Sequence, residues 1–394
     1  MRSLTPLSEA IGPTGDIKTG PFGTVLQASE YSNSGVPMLS VGEIRDGFIA
    51  VTDKTPRIGK ETRERLPEFV LLEGEVVFAR KGGIERTAYI GPREDGWFLG
   101  SDALRVRTGP RLDGRFLSFQ LRTERIQTWL AAHATGSTMP SLNQSIIGRI
   151  PIWTPALNEQ QAIAEVLGAL DDKIVANKAL VSASEALMVT LVSDLPSNAV
   201  LSDLAAQSRN QVSVDTMTTR QTEHHSLPAF DQHRLPALEP AGTIQSSKFA
   251  VVAPSVLLSK LNPRFPRVWN VPHPGDSAVA STEFVVLSPH TFSTSSLWAI
   301  LARPATTAFL AERVTGTSGS HQRVRPDEIM QMPVPGPDQI SDHLDSTLEH
   351  LGLLVHEAVH ESRSLAELRD TLLPALLDGT LRVKDAVRHA EAAL

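Results

Sequence analysis

Two long segments in which apolar residues recur at alternating spacings of three and four constrain the fold of this chain more than any other feature. The first runs from about Asn158 to Leu195, and its seam consists of Ile163, Leu167, Leu170, Ile174, Val181, Met188, Leu191 and Leu195, with Asn177 and Ser184 as polar members. The second seam consists of Leu344, Leu348, Leu351, Val355, Ala358, Leu365, Leu372 and Leu376, with Ser362 and Arg369 in register. This spacing is typical of coiled coils. We therefore predict two helices of roughly 35 to 40 residues, each about 50 to 60 Å long.

The segments that precede the two helices resemble one another. ATGSTMPSLNQSIIGRIPI (134–152) precedes the first helix, and VTGTSGSHQRVRPDEIMQMPV (314–334) precedes the second. Each is a Thr-Gly turn, a polar loop, a short apolar segment and a strand marked by proline. Further upstream, EVVFARKGG (75–83) corresponds to PSVLLSKLNPR (254–264), an apolar strand that ends in a basic loop. The sequence therefore predicts a tandem repeat of a globular domain followed by a long helix.

The globular segments mix short β-rich runs with amphipathic helical segments, which indicates the α+β class. The runs are VVFAR (76–80), FAVVA (249–253) and EFVVL (283–287), and the helical segments are 115–133 and 295–314. The predicted domains are a first recognition domain at 1–155, a spacer helix at 156–197, a second recognition domain at 198–337, a spacer helix at 338–380 and a C-terminal tail at 381–394.

Composition limits the classes of protein that fit. The chain of 394 residues has no cysteine, which excludes disulfides and thiolate metal sites, and no apolar run of membrane-spanning length. These features predict a soluble cytoplasmic protein. The net charge of −7 is distributed as +2 over 1–155, −4 over 156–197, +1 over 198–337 and −6 over 338–394, so the acidic residues concentrate in the predicted helices.

Two short motifs raise the alternative of an enzyme. HEAVH (356–360) has the spacing of a zinc peptidase, in which two histidines one helical turn apart share a metal ion. If Val355 and Ala358 lie in the seam, however, His356, Glu357 and His360 face solvent. LNPRF (261–265) differs at Arg264 from the Asn-Pro-Pro-Phe of amino-methyltransferases, and no glycine-rich cofactor loop accompanies it. A third possibility is a coiled-coil adaptor that makes no contact with DNA.

Basic and polar loops are the strongest functional feature of the two globular segments. Arg80 and Lys81 precede Gly82 and Gly83, and the second repeat has Lys260, Asn262, Arg264 and Arg267 at the corresponding place. Such cations neutralise phosphates or form bidentate pairs with guanine. The small polar side chains of 136–144 and 319–323 supply donors and acceptors that read base edges. We predict DNA binding by Lys18, Thr19, Phe22, Arg80, Lys81, Gly82, Ser101, Ser137, Thr138, Asn143, Phe230, Lys260, Asn262, Arg264, Arg267, Thr282, Ser320, His321, Gln322 and Arg323.

Taken together, these segments resemble the specificity (S) subunits of type I restriction-modification systems. The resemblance extends in order over nearly the whole chain. Its most specific blocks are IPIWTPALNEQQAIAEVLGALDDKI (150–174) and LRDTLLPALLDGTLRV (368–383), and the others are IKTGPFG (17–23), VVFARKG (76–82), GSTMPSLN (136–143), SLPAFD (226–231), LLSKLNPRFPRVW (257–269), STEF (281–284) and GTSGSHQRV (316–324). The sequence departs from the family at 334–343, where the usual Glu-Gln pair is replaced by Asp338-Gln339.

The resemblance implies a non-catalytic protein that binds double-stranded DNA. It implies two target-recognition domains, each reading one half of a split sequence, together with an antiparallel pair of long helices. It also implies two modification (methyltransferase) subunits as partners, restriction subunits as further partners, and no contact with a membrane. This chain would bind no cofactor or metal of its own, because S-adenosylmethionine is expected in the modification subunits.

Overall fold

The computed structural model describes residues 3–136, 138–213, 221–314, 322–391 and 393. They form two compact units. Unit 1 comprises Met1–Asp172 and Leu365–Leu394, and unit 2 comprises Lys173–Ser364. Each unit therefore contains one globular part and one stretch of each of two long helices.

In the part of the chain that the structure describes, the globular part of unit 1 has ten short strands and five short α-helices. The strands are β1 (Leu4–Pro6), β2 (Asp16–Thr19), β3 (Tyr31–Ser32), β4 (Val36–Leu39), β5 (Arg57–Ile58), β6 (Val76–Ala79), β7 (Thr87–Tyr89), β8 (Phe98–Leu99), β9 (Ala103–Arg107) and β10 (Pro151–Trp153). The helices are α1 (Leu7–Ala10), α2 (Lys60–Arg65), α3 (Gly114–Leu121), α4 (Glu124–His133) and α5 (Gln144–Gly148). Two four-stranded sheets, in the orders β2-β9-β6-β7 and β3-β5-β4-β8, surround a core that includes the fully buried β6.

The first and last strands of this part pair with one another. β1 runs antiparallel to β10, with Leu4 opposite Trp153 and Pro6 opposite Pro151. Because paired strands lie about 5 Å apart, the chain enters and leaves the globular part at one place.

The long helix α6 (Leu157–Ser193) follows β10 and contributes residues to both units. It is the one helix among the described residues whose length and composition would allow it to cross a membrane, and only 22% of the relevant stretch is buried. Length and composition alone discriminate poorly, because the core helix of a soluble protein passes the same test. The stretch contains no uninterrupted apolar run, because polar residues recur within it.

Among its described residues, the globular part of unit 2 contains eleven strands and five α-helices. The strands are β11 (Ala199–Val200), β12 (Ala205–Ser208), β13 (Gln211–Val212), β14 (Gln221–His225), β15 (Ala237–Pro240), β16 (Lys248–Ala250), β17 (Ser255–Ser259), β18 (Val268–Val271), β19 (Val279–Ala280), β20 (Phe284–Pro289) and β21 (Pro333–Val334). The helices are α7 (Leu201–Leu204), α8 (Leu227–His233), α9 (Thr294–Leu301), α10 (Pro304–Glu312) and α11 (Pro326–Met330). The main sheets have the orders β12-β20-β17-β18 and β13-β16-β19-β14-β15, and β11 pairs with β21 as β1 pairs with β10.

The second long helix, α12 (Asp342–Asp378), is followed by α13 (Val383–Glu391). The predicted seams are largely correct, since nearly all of their residues are buried or half-buried. In unit 2, Asn177 Nδ2 donates to Glu361 Oε2 at 2.6 Å, and Met188 packs in one core with Leu348. The partner number falls as the α6 number rises, so the helices run antiparallel. In unit 1, Arg369 Nη1 donates to Asp171 Oδ1 at 2.7 Å.

The predicted fold class is confirmed: two α+β parts, each associated with a pair of antiparallel helix segments, form an internal repeat. Three details differ. Residues 381–394, predicted as a tail, include α13. The predicted helices 115–133 and 295–314 are each two helices, because Thr123 and Arg303 adopt extended conformations that cap new helices, and Pro304 cannot continue α9. Leu191 is 38% exposed while Val192 is buried, because an α-helix drifts from a strict seven-residue repeat.

Candidate nucleic-acid interface

The basic loop that follows β6 is held against the polar loop before α5. The backbone N–H of Gly82 donates to the carbonyl of Pro140 at 3.3 Å, and that of Leu142 donates to the carbonyl of Arg80 at 2.9 Å. The N–H of Arg80 donates to the carbonyl of Asp102 at 2.9 Å. Gly82 has a φ of 66°, a left-handed conformation that glycine adopts at low cost. The structure therefore brings together the two loops that the sequence singled out.

The side chains around these two loops form a partly exposed surface that contains two cations. This first cluster consists of Phe22, Arg80, Lys81, Ser101 and Asp102. The Arg80 guanidinium lies over the Phe22 ring at 5.3 Å, and its Nη1 donates to the Ser101 carbonyl at 3.4 Å. Lys81 Nζ is 3.8 Å from Asp102 Oδ1, and both side chains are about half exposed. Phe22 is 56% exposed, so an aromatic face and two charges are accessible together.

The other residues predicted in the first part lie near this surface in different roles. Thr19 Oγ1 accepts a 3.4 Å hydrogen bond from Gln144, and Lys18 Nζ lies 5.1 Å from the centre of the Phe69 ring. Asn143 caps α5, because its Oδ1 accepts from the Ile146 N–H at 2.9 Å. Its amide nitrogen and the second lone pair of Oδ1 are then left for a base edge. Thr138 is exposed, whereas Ser137 lies outside the described residues.

The loop that follows β17 in unit 2 makes the same set of backbone hydrogen bonds. The N–H of Asn262 donates to the Gln322 carbonyl at 2.9 Å, that of Val324 to the Lys260 carbonyl at 3.1 Å, and that of Lys260 to the Glu283 carbonyl at 3.0 Å. These bonds match those of Gly82, Leu142 and Arg80 at offsets of 180 to 182. The internal repeat therefore extends to individual hydrogen bonds in the predicted site.

Two arginines of this second cluster are engaged by carboxylates. Arg267 donates from Nε and Nη2 to Asp231 at 2.6 and 2.8 Å, and Arg323 donates from Nε and Nη2 to Glu283 at 3.0 and 2.9 Å. The hydrogen bond with Asp231 raises the pKa of Arg267. The hydrogen bond from Arg323 lowers the pKa of Glu283, and the charge of Lys260 adds to this effect.

The remaining predicted residues of unit 2 differ in accessibility. Arg264 is exposed in the turn between Asn262 and Phe265, and Thr282 is half-buried. Phe230 packs edge-on against Trp269 at 5.6 Å, which indicates a packing role. Arg267 Nη1 is buried and has no hydrogen-bond partner among the described residues. Ser320 and His321 lie outside the described residues.

Sequence reasoning missed the acidic members of both clusters, which are Asp102 in the first and Asp231 and Glu283 in the second. The sequence repeat contained a signal for two of these acids. Asp102 follows the predicted Ser101, and Glu283 follows the predicted Thr282, at the same offset of 181 that relates these two residues.

The HEAVH motif lies elsewhere in unit 2. The expectation that all three of its polar residues face solvent is wrong for His356, which is half-buried and lines a cavity of about 50 Å³ with Trp269 and Trp298. Burial, with nearby His360 and His273, lowers the pKa of His356 to about 4. Glu357 and His360 are exposed. Among the described residues, no group of three or more His, Asp or Glu side chains is placed to hold a metal ion.

Comparison with known proteins finds a family match for part of this chain and solved structures with a similar fold. Residues 15–181 match the family model of the type I restriction modification DNA specificity domain. The structure is similar to the type I restriction-modification system S subunit from M. genitalium, with 15% identity, a TM-score of 0.61 and coverage of 95% of this chain and 96% of that one.

A second similar structure is the HsdS subunit from Thermoanaerobacter tengcongensis, at 15% identity, with 94% of this chain and 98% of that one covered and a TM-score of 0.32. No curated protein matches the sequence. The matched domain contains the first loop cluster, and the fold is that of an S subunit. Residues 15–181 thus match the type I restriction modification DNA specificity domain, and the predicted resemblance to S subunits is confirmed.

Proposed function

We propose that this chain is the specificity subunit of a type I restriction-modification complex and that each globular part reads one half of a bipartite duplex target. The observation that carries this proposal is the repetition of one loop arrangement in both parts, with matching backbone hydrogen bonds at Gly82 and Asn262. A protein with two equivalent reading surfaces is suited to a target with two specified halves.

The chemistry of the clusters supports DNA as the ligand. Each combines cations, which pair with phosphates or guanine, with neutral donors from a polar loop. The globular segments have net charges of +2 and +1, whereas the helical ones have −4 and −6. Duplex DNA would therefore be attracted to the globular parts and repelled by the helices.

We propose that partner subunits cover the exposed apolar side chains of α6. Within unit 2, Val175, Leu180, Leu187 and Leu191 are between 38% and 48% exposed. Burying a fully exposed large aliphatic side chain contributes about 1.5 to 3 kcal/mol, and these side chains are less than half exposed, so each would contribute about half of that at most. They would form part of the contact with two modification subunits, and restriction subunits would join that assembly. Catalysis and S-adenosylmethionine binding would reside in the modification subunits, and the complex would act in the cytoplasm without contacting a membrane.

The test is to express the chain with its modification subunits in cells that lack other DNA methylation and to map every modified position. The expected result is one motif with two specified halves and an unspecified gap. The pair Arg80→Ala and Lys81→Ala should degrade the first half only, and Lys260→Ala with Arg264→Ala the second half only. A contiguous motif, or methylation without sequence preference, would refute the proposal.

A further inference from the structure

The basic loop of unit 2 carries an aromatic side chain that the predicted DNA contacts do not include. Phe265 is 70% exposed, the largest exposure of any aromatic side chain among the described residues. We propose that Phe265 contacts the C5 methyl group of a thymine in the major groove of the second half-site and so helps to specify that base. This inference rests on the proposed DNA-reading function, because it names the chemistry of one contact at the second reading surface.

The fold does not require an exposed apolar residue at this place. The loop between β6 and β7 is closed by a hydrogen bond from the N–H of Ala79 to the carbonyl of Arg86 at 3.0 Å, and the loop between β17 and β18 has the equivalent bond at 2.9 Å. Ile84 of the first loop corresponds to Phe265 of the second at an offset of 181. Ile84 is only 8% exposed. The same position can therefore be buried, and the exposure of Phe265 is a property of the second loop.

The turn that carries Phe265 has a restricted backbone. The N–H of Phe265 donates to the Asn262 carbonyl at 2.9 Å, which closes a turn with Pro263 at its second position. Pro263 is buried, whereas the three residues that follow it are exposed. Proline fixes its own φ angle and disfavours helical backbone in the residue before it, so Pro263 and Pro266 restrict the chain on both sides of Phe265. A residue whose backbone is fixed before binding loses less conformational entropy when it makes a contact.

The charges and the width of this loop favour the major groove. Arg264 is exposed and Lys260 is half-buried, and cations of this kind pair with phosphates, so the adjacent ring would lie near the duplex. The loop joins the antiparallel strands β17 and β18, and the backbones of paired strands alone lie about 5 Å apart. With side chains added, such a loop fits a major groove about 12 Å wide better than a minor groove about 6 Å wide.

The thymine methyl group is the apolar group that base pairs present in the major groove. Contact between this methyl group and the Phe265 ring removes apolar surface of both from water, which is favourable. Adenine, guanine and cytosine offer only hydrogen-bonding groups at that edge, so the contact distinguishes thymine from the other bases. Because Ile84 is buried at the corresponding place, this position discriminates bases in the second half-site only.

The experiment replaces each thymine of the cognate duplex in turn by deoxyuridine, which lacks only the C5 methyl group. The protein is the assembled complex with modification subunits, and the duplex carries the motif that methylation mapping identifies. The dissociation constant should rise about fourfold at one thymine of the second half-site, which is the effect of one buried methyl group. This arm uses the unmodified protein, so its outcome does not depend on the folding of a variant.

Variants then assign the effect to Phe265. Phe265→Ala should bind the cognate duplex roughly 5- to 30-fold more weakly, with no further loss when the sensitive thymine is replaced. Phe265→Leu keeps an apolar side chain and should retain part of the uracil effect. Val252→Ala is the matched control, because Val252 is 75% exposed but precedes β17, at the end of that strand opposite the basic loop. This control should bind within about twofold of the unmodified complex.

Several results would overturn the methyl contact. A second half-site without thymine on either strand would do so, as would an undiminished uracil effect in Phe265→Ala. Weaker binding by Phe265→Ala without any uracil effect, together with reduced bending of a duplex that carries dyes at both ends, would identify a minor-groove wedge instead. If the unmodified complex bound the cognate and a scrambled duplex equally, the proposed function itself would fail, whereas the other results leave it intact.

Discussion

Asn262 has the backbone conformation that Gly82 has at the equivalent place of the other globular part. Their φ angles are 50° and 66°, and the N–H of each donates to a carbonyl of the polar loop, that of Gln322 or Pro140. Left-handed backbone is unfavourable for residues with a Cβ, and asparagine tolerates it better than most. Glycine and asparagine are thus two residue types that adopt the same left-handed backbone conformation at equivalent places.

This relationship predicts an order of stabilities at position 82. A Cβ at Gly82 would meet only Met139 Sδ, at 4.0 Å, so the cost of substitution is conformational. Gly82→Ala should lower the free energy of unfolding by about 1 to 2 kcal/mol, and Gly82→Asn by less. Urea denaturation measures both. Gly42→Ala is the control, since that glycine has ordinary φ and open surroundings; if it cost as much, φ would not be the cause.

Loss of loop cations should affect each half-site separately. Arg80→Ala with Lys81→Ala should weaken binding to duplexes that carry the first half-site by about 1 to 3 kcal/mol per lost base contact, with a shallower salt dependence. Lys260→Ala with Arg264→Ala should weaken binding to duplexes that carry the second half-site by a similar amount. Fluorescence titration of duplexes with one half scrambled checks this. Unchanged affinities, with intact folding by circular dichroism, would contradict it.

Asp171 should be far more important for stability than its neighbour Asp172. Its carboxylate accepts from Arg122 Nη1 and Arg369 Nη1, both at 2.7 Å, and these arginine side chains are 6% and 15% exposed. Asp171→Asn leaves Arg369 with only Asp370 and Arg122 with only a 3.9 Å contact to Asp46, and both remaining carboxylates are exposed. The loss of the shared buried countercharge should cost up to about 3 to 5 kcal/mol.

Asp172→Asn is the matched control for this substitution. Asp172 is 67% exposed and pairs with Arg115, so its loss should cost at most about 1 kcal/mol. Equal shifts in the urea midpoint for the two variants would show that the buried arginines do not depend on Asp171.

Unit 2 should lose stability in mild acid because of His225. This residue is 2% exposed, and burial lowers its pKa from 6.5 to about 4, with a smaller effect from adjacent His224. The unfolded chain takes up the proton first, so the contribution of neutral His225 is complete above about pH 6.5 and is lost as pH falls toward 4. The loss amounts to roughly 3 kcal/mol.

His225→Gln, which cannot titrate, should show a correspondingly smaller loss of unfolding free energy between pH 7 and 4. Other groups titrate equally in both proteins, so the difference between the two profiles isolates His225. Parallel profiles would rule out this residue as the cause.

The repeat and the helices could be predicted because they depend on local patterns. Seam spacing identified buried positions such as Leu167 and Leu365, and the loops around Gly82 and Asn262 were recognised from glycine, proline and charge. Burial that depends on tertiary packing was predicted wrongly at two places. Val192, and not Leu191, lies in the core of unit 2, and His356 is half-buried. The residues that hold the cations, Asp102 and Glu283, were missed because their role depends on a contact made across the fold.

The pairing of β1 with β10, and of β11 with β21, has a consequence for how this protein could evolve. Because the first and last strands of each globular part are hydrogen-bonded to each other, the chain enters and leaves that part at one place. A recombination event with breakpoints near residues 4 and 153, or near 199 and 334, would replace a whole part while leaving its anchoring strand pair to be rebuilt from the incoming sequence. Such an exchange keeps α6 and α12, provided that the incoming part matches contacts with these helices such as Arg122 with Asp171. New ligand preferences could then arise in one step instead of by gradual substitution.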